Sequence, residues 1–229
     1  MVINDKYKFI FFHVPKAAGT SVMHALQSLE GNNNRLLAKT KHETLSEFSV
    51  SWRKRRGVFI NQNPEKYFRF AFVRNPWVRM YSFYTYLKEM RPRHEIDSIN
   101  SFQHFLLQSC DSQSWVNELR SMKPQLDYFM TMDGAFDMDF VGHFEFLQED
   151  LKCIGQDIGV DIKIHHLNRT NKVISDYREC YDQEMIKIVS LRFQKDIETF
   201  GYTFEEPNPT RRFSGQLRGK GFGKFGLLG

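Results

Sequence analysis

Twice in this chain, a short apolar run that favours a β-strand is followed by a loop and then by a pattern typical of an α-helix. The first run covers residues 7–14, and Pro15 ends it. The second covers residues 68–74, after which Asn75 and Pro76 begin a helix as its N-cap and its first residue. Continuous apolar runs are typical of strands buried on both faces. The sequence therefore predicts an α/β fold in three layers, with a central parallel sheet flanked by helices.

The rest of the chain continues this alternation. Apolar periodicity predicts helices over residues 76–90, 101–108, 124–130, 146–157 and 176–200, and strands over residues 140–144 and 162–167. The last of these helices carries a single apolar stripe and ends at Gly201. Because ligands of such sheets bind at the carboxyl ends of the strands, we expect the functional site where the first two runs end.

The positive charge of the chain is concentrated at its C-terminal end. The 32 lysines and arginines outnumber the 27 aspartates and glutamates by five. The region after residue 206 contains no acid and five bases, which are Arg211, Arg212, Arg218, Lys220 and Lys224. We therefore predict one domain over residues 1–206 and a basic, glycine-rich, loosely ordered tail over residues 207–229. The neutral domain argues against a nucleic-acid-binding protein.

The cysteines and the short apolar runs limit the location of the protein. Cys110, Cys153 and Cys180 are widely spaced and form no CxxC motif, so neither a disulfide framework nor a zinc site is expected. The early apolar run is far shorter than the roughly 20 residues that cross a bilayer. It is also shorter than the roughly 7–15 apolar residues of a signal-peptide core. We therefore expect a cytoplasmic protein without a transmembrane segment.

The loop after the first predicted strand has the composition of an anion-binding site. It consists of Lys16, Ala17, Ala18, Gly19, Thr20 and Ser21. Small side chains let an anion approach the main-chain N–H groups at the start of a helix, the lysine adds positive charge, and the hydroxyls add donors. The GxxxxGK[ST] motif is missing, and the second strand ends in arginine and asparagine instead of a magnesium-binding aspartate. The loop therefore predicts a metal-free phosphate or sulfate site. The alternative is an ordinary turn with a surface lysine.

The second predicted strand leads to another pair of potential anion ligands. Arg74 ends this strand, and Ser82 lies in the second turn of the following helix. An arginine can bind a phosphate through two hydrogen bonds, and a serine hydroxyl can donate to the same group. Alternatively, Arg74 forms a structural ion pair and Ser82 bonds within its helix. Taken together, the two motifs favour one ligand with two separated anionic groups.

Both segments closely resemble nucleotide-binding motifs of sulfotransferases, in particular of the carbohydrate-type family that includes the heparan 2-O- and chondroitin sulfotransferases and bacterial relatives. Residues 11–21 (FFHVPKAAGTS) resemble the 5′-phosphosulfate loop of that family. Residues 72–82 resemble its 3′-phosphate motif, with the spacing from arginine to serine retained. Residues 125–128, 140–145, 166–168 and 177–178 are also similar, so the resemblance covers residues 8–204 in the order of the family.

This resemblance implies a P-loop-like fold and a sulfotransferase whose donor is 3′-phosphoadenosine 5′-phosphosulfate (PAPS). By motif position, the six loop residues from Lys16 to Ser21 would hold the 5′-phosphosulfate, and Arg74 and Ser82 would hold the 3′-phosphate. Lys16 would also neutralise the charge that grows on the bridging oxygen as the bond to sulfur breaks. The acceptor would be a hydroxyl of a carbohydrate or a similar compound. No metal and no nucleic-acid partner are implied, and the chain resembles the soluble bacterial-type members.

A hydroxyl is a poor nucleophile near neutral pH, so a general base is expected. In the heparan 2-O-type members, a catalytic histidine stands in a similar His–x5–Phe context between the two motifs, and here that window begins at His42 and ends at Phe48. The resemblance therefore implies His42 as the base, with Glu43 and His13 as alternatives. Otherwise, His42 is an exposed polar residue at the start of a helix.

The sequence leaves open two alternative functions and the role of two groups of basic residues. In a metal-dependent P-loop kinase the lysine follows the glycine of the loop, whereas Lys16 precedes it. A degenerate relative, whose basic tail engages nucleic acid or membrane, is opposed by the intact Lys16, Arg74 and Ser82. The basic residues 53–56 or the tail could attract an anionic glycan, although such clusters are usually solvated surface.

Overall fold

The computed structural model describes residues 1–30, 42–55, 66–90, 94–164 and 176–210. The chain divides into two compact units. The first contains the described residues of Met1–Val73 and Gln125–Asn168, and the second contains those of Arg74–Pro124 and Arg169–Arg211. The predicted α/β fold is confirmed, because the first unit contains a mostly parallel, four-stranded sheet with helices packed against it.

The sheet has the strand order β1 (Val2–Asn4), β2 (Phe9–Phe12), β3 (Phe68–Val73) and β4 (Phe140–His143). The last three strands are parallel, with Phe12 opposite Ala71 and Val73 opposite His143, whereas β1 is antiparallel to β2. The sequence does not predict β1, because three residues carry too little periodicity. Since parallel strands end at the same edge, the loop after β2 lies at the carboxyl edge of the sheet.

The described residues also form α-helices in both units. In chain order they are α1 (Gly19–Gln27), α2 (Leu45–Arg55), α3 (Pro76–Met90), α4 (His94–Asp97), α5 (Phe102–Cys110), α6 (Trp115–Glu118), α7 (Leu147–Ile158), α8 (Gln183–Arg192) and α9 (Gln194–Phe200). Helices α1, α2 and α7 belong to the first unit, and the others belong to the second. Within these described ranges, no helix is long and apolar enough to cross a membrane.

Aromatic side chains cover both faces of the sheet. Five phenylalanines on one face pack against α1 and α7 in a single buried core, and they are Phe9, Phe11, Phe70, Phe72 and Phe140. Successive residues of a strand point to opposite faces. Phe12 therefore points away from this core, and its ring centroid lies 5.6 Å from that of Phe48 in α2. The sheet is thus covered on both sides, as the three-layer prediction requires.

The start of α3 matches its sequence signals. The side-chain Oδ1 of Asn75 accepts hydrogen bonds from the main-chain N–H groups of Trp77 and Val78, at 3.1 and 3.4 Å. Pro76 is the first helical residue, and the helix ends at Met90 as predicted. Because the N-cap satisfies two N–H groups that have no partner within the helix, local chemistry alone fixes where α3 begins.

The prediction of one continuous helix over residues 176–200 is wrong. It is divided into a 3₁₀ helix (Tyr177–Cys180), α8 and α9. Asp182 caps α8 by accepting from the N–H of Met185 at 2.8 Å, and Phe193 separates α8 from α9 with φ −112° and ψ 26°. The Phe193 ring is fully buried beneath the guanidinium of Arg79, 4.8 Å from its centroid. Tertiary packing of this ring therefore overrides the helical periodicity.

Two further predictions need correction. Residues 124–130 form only the 3₁₀ helix Leu126–Tyr128, in and around which Gln125, Leu126, Tyr128 and Phe129 are buried. The predicted strand over residues 162–167 is also not found in its described part, since residues 162–164 form no strand although Ile162 is buried in the core. Residues 165–167 lie outside the described residues.

Candidate active site

The predicted anion-binding loop has an unusual backbone. Lys16 and Ala18 have φ angles of 66° and 60°, in the left-handed region that residues with a Cβ rarely adopt. Ala17 between them does not have a positive φ. Such alternation turns successive N–H groups towards one side of the chain, which is how main-chain anion sites are built. Backbone strain of this kind is found where function requires it, and it supports an anion site over an ordinary turn.

Helix α1 begins within this loop, at Gly19, with Ala18 as its N-cap. The first helical hydrogen bond runs from Val22 N–H to the carbonyl of Ala18 at 3.2 Å, so the N–H groups of residues 19–21 precede the helical ladder. An alanine has no side-chain oxygen that could cap them. The positive end of the helix dipole therefore points to the same place as the loop amides and the lysine.

The glycine of the loop is required by the neighbouring histidine. A Cβ atom at Gly19 would lie only 1.7 Å from Cδ2 of the His13 ring, and 2.0 Å from its Nε2. The His13 ring is buried, and it stacks on Phe11 with 6.1 Å between the centroids. The sequence predicts that the lack of a side chain at Gly19 lets an anion approach the main chain. The structure shows a second reason, which is that the imidazole of His13 packs directly on its Cα.

His13 in turn contacts the predicted general base. The Nδ1 atom of His42 lies 2.9 Å from the main-chain carbonyl oxygen of His13, and the two rings meet edge to face with 4.4 Å between their centroids. A carbonyl oxygen can only accept a hydrogen bond, so Nδ1 of His42 carries the hydrogen. The neutral ring then has its lone pair on Nε2, which is the atom that can take a proton.

Helix α2 holds His42 in this position. Thr44 and Glu47 form a reciprocal capping box: Thr44 N–H donates to Glu47 Oε2 at 3.0 Å, and Glu47 N–H donates to Thr44 Oγ1 at 3.2 Å. Phe48 anchors the helix on the sheet through Phe12. The Thr–x–x–Glu spacing is visible in the sequence. It is the signal from which the start of α2 could have been predicted.

The other two candidate bases are placed differently from His42. Glu43 is buried, and its Oε2 accepts from the hydroxyl of Ser51 at 3.5 Å. His13 is buried beneath the loop, as described above. His42 is half-buried, so it alone among these three retains substantial access to solvent. The structure therefore brings the Lys16–Ser21 loop, His13 and His42 together in the first unit.

Arg74 and Ser82 both belong to the second unit. Arg74 directly follows β3 and is half-buried, and Ser82 is a partly buried residue of α3 whose carbonyl accepts from the hydroxyl of Thr85 at 3.2 Å. They lie on either side of the capped first turn of α3. That the two motifs hold one ligand stays a prediction.

Other sequence-predicted features fall largely outside the described residues. The side chains of residues 53–56 and the whole of residues 211–229 are among these. Residues 207–210 are described: Pro209 is buried, and the N–H of Thr210 donates to the carbonyl of Gly201 at 2.7 Å. Across the described ranges, there is no group of three His, Cys, Asp or Glu side chains that could hold a metal ion.

Comparison with known proteins gives the following matches. The model of the sulfotransferase family matches residues 1–203 of this chain. Carbohydrate sulfotransferase 14 of Danio rerio is 21% identical over 252 residues, which include 93% of this chain and 64% of that protein. The chain thus spans less than two thirds of the length of this relative. No solved structure matches.

Proposed function

Because this chain belongs to the sulfotransferase family, we propose that it transfers a sulfuryl group from PAPS to a hydroxyl of a carbohydrate. The carbohydrate acceptor is supported by the similarity to a carbohydrate sulfotransferase. The single observation that carries the proposal is that His13 links the predicted base to the predicted donor loop. His42 bonds the carbonyl of His13, and His13 packs on Gly19 of that loop.

The loop has the features needed to hold the 5′-phosphosulfate of this donor. The left-handed backbone at Lys16 and Ala18 and the positive end of α1 favour an anion there, and the hydroxyls of Thr20 and Ser21 supply further donors. When bound, the donor supplies an activated sulfuryl group joined to a phosphate leaving group. Lys16 would place its ammonium against the charge that develops on that phosphate, so it acts mainly in the transition state.

His42 would accept the proton of the attacking hydroxyl at Nε2. The hydrogen bond from Nδ1 to the carbonyl of His13 fixes the tautomer in which Nε2 is the basic atom. The same bond stabilises the imidazolium that forms, because Nδ1–H remains a donor after protonation. The edge-to-face contact with His13 and the capping box of α2 restrict the orientation of the ring.

Arg74 and Ser82 would bind the 3′-phosphate of the donor. The guanidinium of an arginine can donate two parallel hydrogen bonds to a phosphate, and the serine hydroxyl can donate a third. Arg74 lies just before the N-terminus of α3, whose dipole also favours an anion, and Ser82 lies in the second turn of this helix. No protein ligand for a metal is assigned in this proposal, and Lys16 and Arg74 are the cationic side chains assigned to the donor.

Incubation with radiolabelled PAPS and a panel of glycans and small alcohols tests this function. We expect label on a carbohydrate hydroxyl, and transfer slower by a factor of about 10²–10³ in the Lys16→Ala variant. Isothermal calorimetry compares the affinities of the protein for adenosine 3′,5′-bisphosphate, 5′-AMP and ATP–Mg²⁺. Transfer of phosphate from ATP–Mg²⁺, without sulfuryl transfer to any acceptor, would show that the chain is a kinase-like enzyme instead.

A further inference from the structure

The amide of Asn75 connects two distant parts of the second unit. Its Oδ1 caps α3, while its Nδ2 donates to the carbonyls of Thr203 and Glu206, at 3.2 and 3.4 Å. These partners are 128 and 131 residues away along the chain, and the Asn75 side chain is fully buried. Each end of this amide therefore fixes a different segment.

The segment that Asn75 holds, residues 203–206, is called the C-terminal strap here. All four of its carbonyls accept side-chain hydrogen bonds: Asn75 binds the first and the last, the Tyr177 hydroxyl binds that of Phe204 at 2.5 Å, and Arg178 Nη1 binds that of Glu205 at 2.7 Å. A segment without regular secondary structure is thus bonded at every carbonyl. Side chains from elsewhere in the second unit therefore supply the hydrogen bonds that regular secondary structure would supply.

Ring packing fixes the strap from its other side. The ring of Phe204 meets the rings of Trp77, Tyr177 and Tyr181 with centroid distances of 5.8, 5.7 and 5.5 Å. The Tyr181 hydroxyl also donates to the carbonyl of Trp77 at 2.7 Å. Trp77 is in the first turn of α3, so both the hydrogen bonds and the rings hold the strap against the start of this helix.

Arg74 immediately precedes Asn75 and has no helix or strand of its own. Its guanidinium can receive a phosphate in two parallel hydrogen bonds only if its backbone is fixed in position, because displacements of about 1 Å are enough to weaken such contacts strongly. We propose that Asn75 and the C-terminal strap position Arg74, and that they thereby make the enzyme selective for 3′-phosphorylated nucleotides. This inference rests on the proposed function, and it adds a positioning residue and a chain segment from the far end of the sequence.

The test compares the Kd values of adenosine 3′,5′-bisphosphate and 5′-AMP in the full chain. Asn75→Ser keeps a side-chain oxygen that can cap α3 but is too short to reach the strap, and Phe204→Leu loosens the strap without changing any charge. We expect each variant to lose roughly tenfold in preference for the bisphosphate, the size of one hydrogen bond to a charged group, with the Kd of 5′-AMP unchanged. The double variant should lose little more than either single variant, because both act through one contact.

Phe105→Leu is the matched control, because it removes a buried ring of the same unit that contacts Phe83 and Tyr84 instead of the strap. It should lower the melting temperature and keep the preference. If the wild-type protein shows no preference for the bisphosphate, the 3′-phosphate role of Arg74 and Ser82 fails. If the wild-type protein has the preference and both strap variants retain it, or weaken both ligands equally, the role of the strap is overturned while the proposed function stands.

Discussion

The Nδ1 atom of His42 lies 2.9 Å from the main-chain carbonyl oxygen of His13. This bond joins the start of α2 to the end of β2 across 29 residues of chain. Because the acceptor is a main-chain atom, substitution of the His13 side chain does not by itself remove it. The orientation of the candidate base therefore depends on the backbone that leads into the donor loop.

Replacing His42 with alanine should abolish sulfuryl transfer and leave the affinity for adenosine 3′,5′-bisphosphate unchanged, because the side chain is assigned to the acceptor and not to the donor. Initial transfer rates and calorimetry provide the two measurements. His24→Ala, at an exposed position of α1, is the control. Normal turnover of His42→Ala would assign the base to another group.

Replacing Lys16 with alanine should lower kcat by a factor of about 10²–10³, the loss typical of removing one donor that acts in a transition state. The Kd of adenosine 3′,5′-bisphosphate should rise much less, because the ammonium is assigned to charge that develops during the reaction. Single-turnover transfer and calorimetry separate the two effects. Lys152→Ala removes an exposed lysine of α7 and should change neither quantity. A loss confined to donor affinity would place Lys16 in ground-state binding only.

The contact between His13 and Gly19 predicts an unusual pair of variants. Gly19→Ala should destabilise the protein by about 1–3 kcal/mol, because the new methyl group would lie 1.7 Å from the His13 ring and something must move. Combining it with His13→Ala removes the ring that causes the clash, so the cost of adding the methyl group should become much smaller. Urea unfolding of the four proteins in this cycle measures the coupling. If the two substitutions are additive, the ring does not restrict position 19.

Elements with strong local signals are predictable from this sequence, and those that depend on distant contacts are not. Asn75 and Pro76 define the start of α3 by themselves. In contrast, the break at Phe193 depends on the buried contact of its ring with Arg79, a residue more than a hundred positions earlier. No pattern within α8 and α9 encodes that contact. Tertiary packing therefore decided the elements that the sequence predicted wrongly.

The same distinction applies to the candidate site. The small residues and the lysine of the loop are visible in the sequence, and they predict an anion site. The left-handed backbone at Lys16 and Ala18 and the hydrogen bond of His42 to His13 appear only in the structure. The strap is missed for a similar reason, since the partners of Asn75 are 128 and 131 residues away.

Partly buried tyrosines of the second unit should make the protein less stable in alkali. Burial raises the pKa of Tyr177 and of Tyr81 to about 12 each, and it raises the pKa of Tyr181 well above its ordinary value. In the unfolded chain these phenols lose their protons near pH 10. The unfolded state therefore releases protons at lower pH than the folded state, so stability is fully present below about pH 10 and is lost as the pH rises towards 12.

Melting temperatures measured from pH 8 to pH 12, together with the ultraviolet absorbance of tyrosinate, should show unfolding and ionisation occurring together in this alkaline window. Tyr177→Phe should flatten the decline, because one phenol that ionises more easily in the unfolded chain is removed. It should also lower stability at neutral pH, since the hydrogen bond to the carbonyl of Phe204 is lost. Ionisation of all tyrosines near pH 10 in a protein that remains folded would contradict the burial of this cluster.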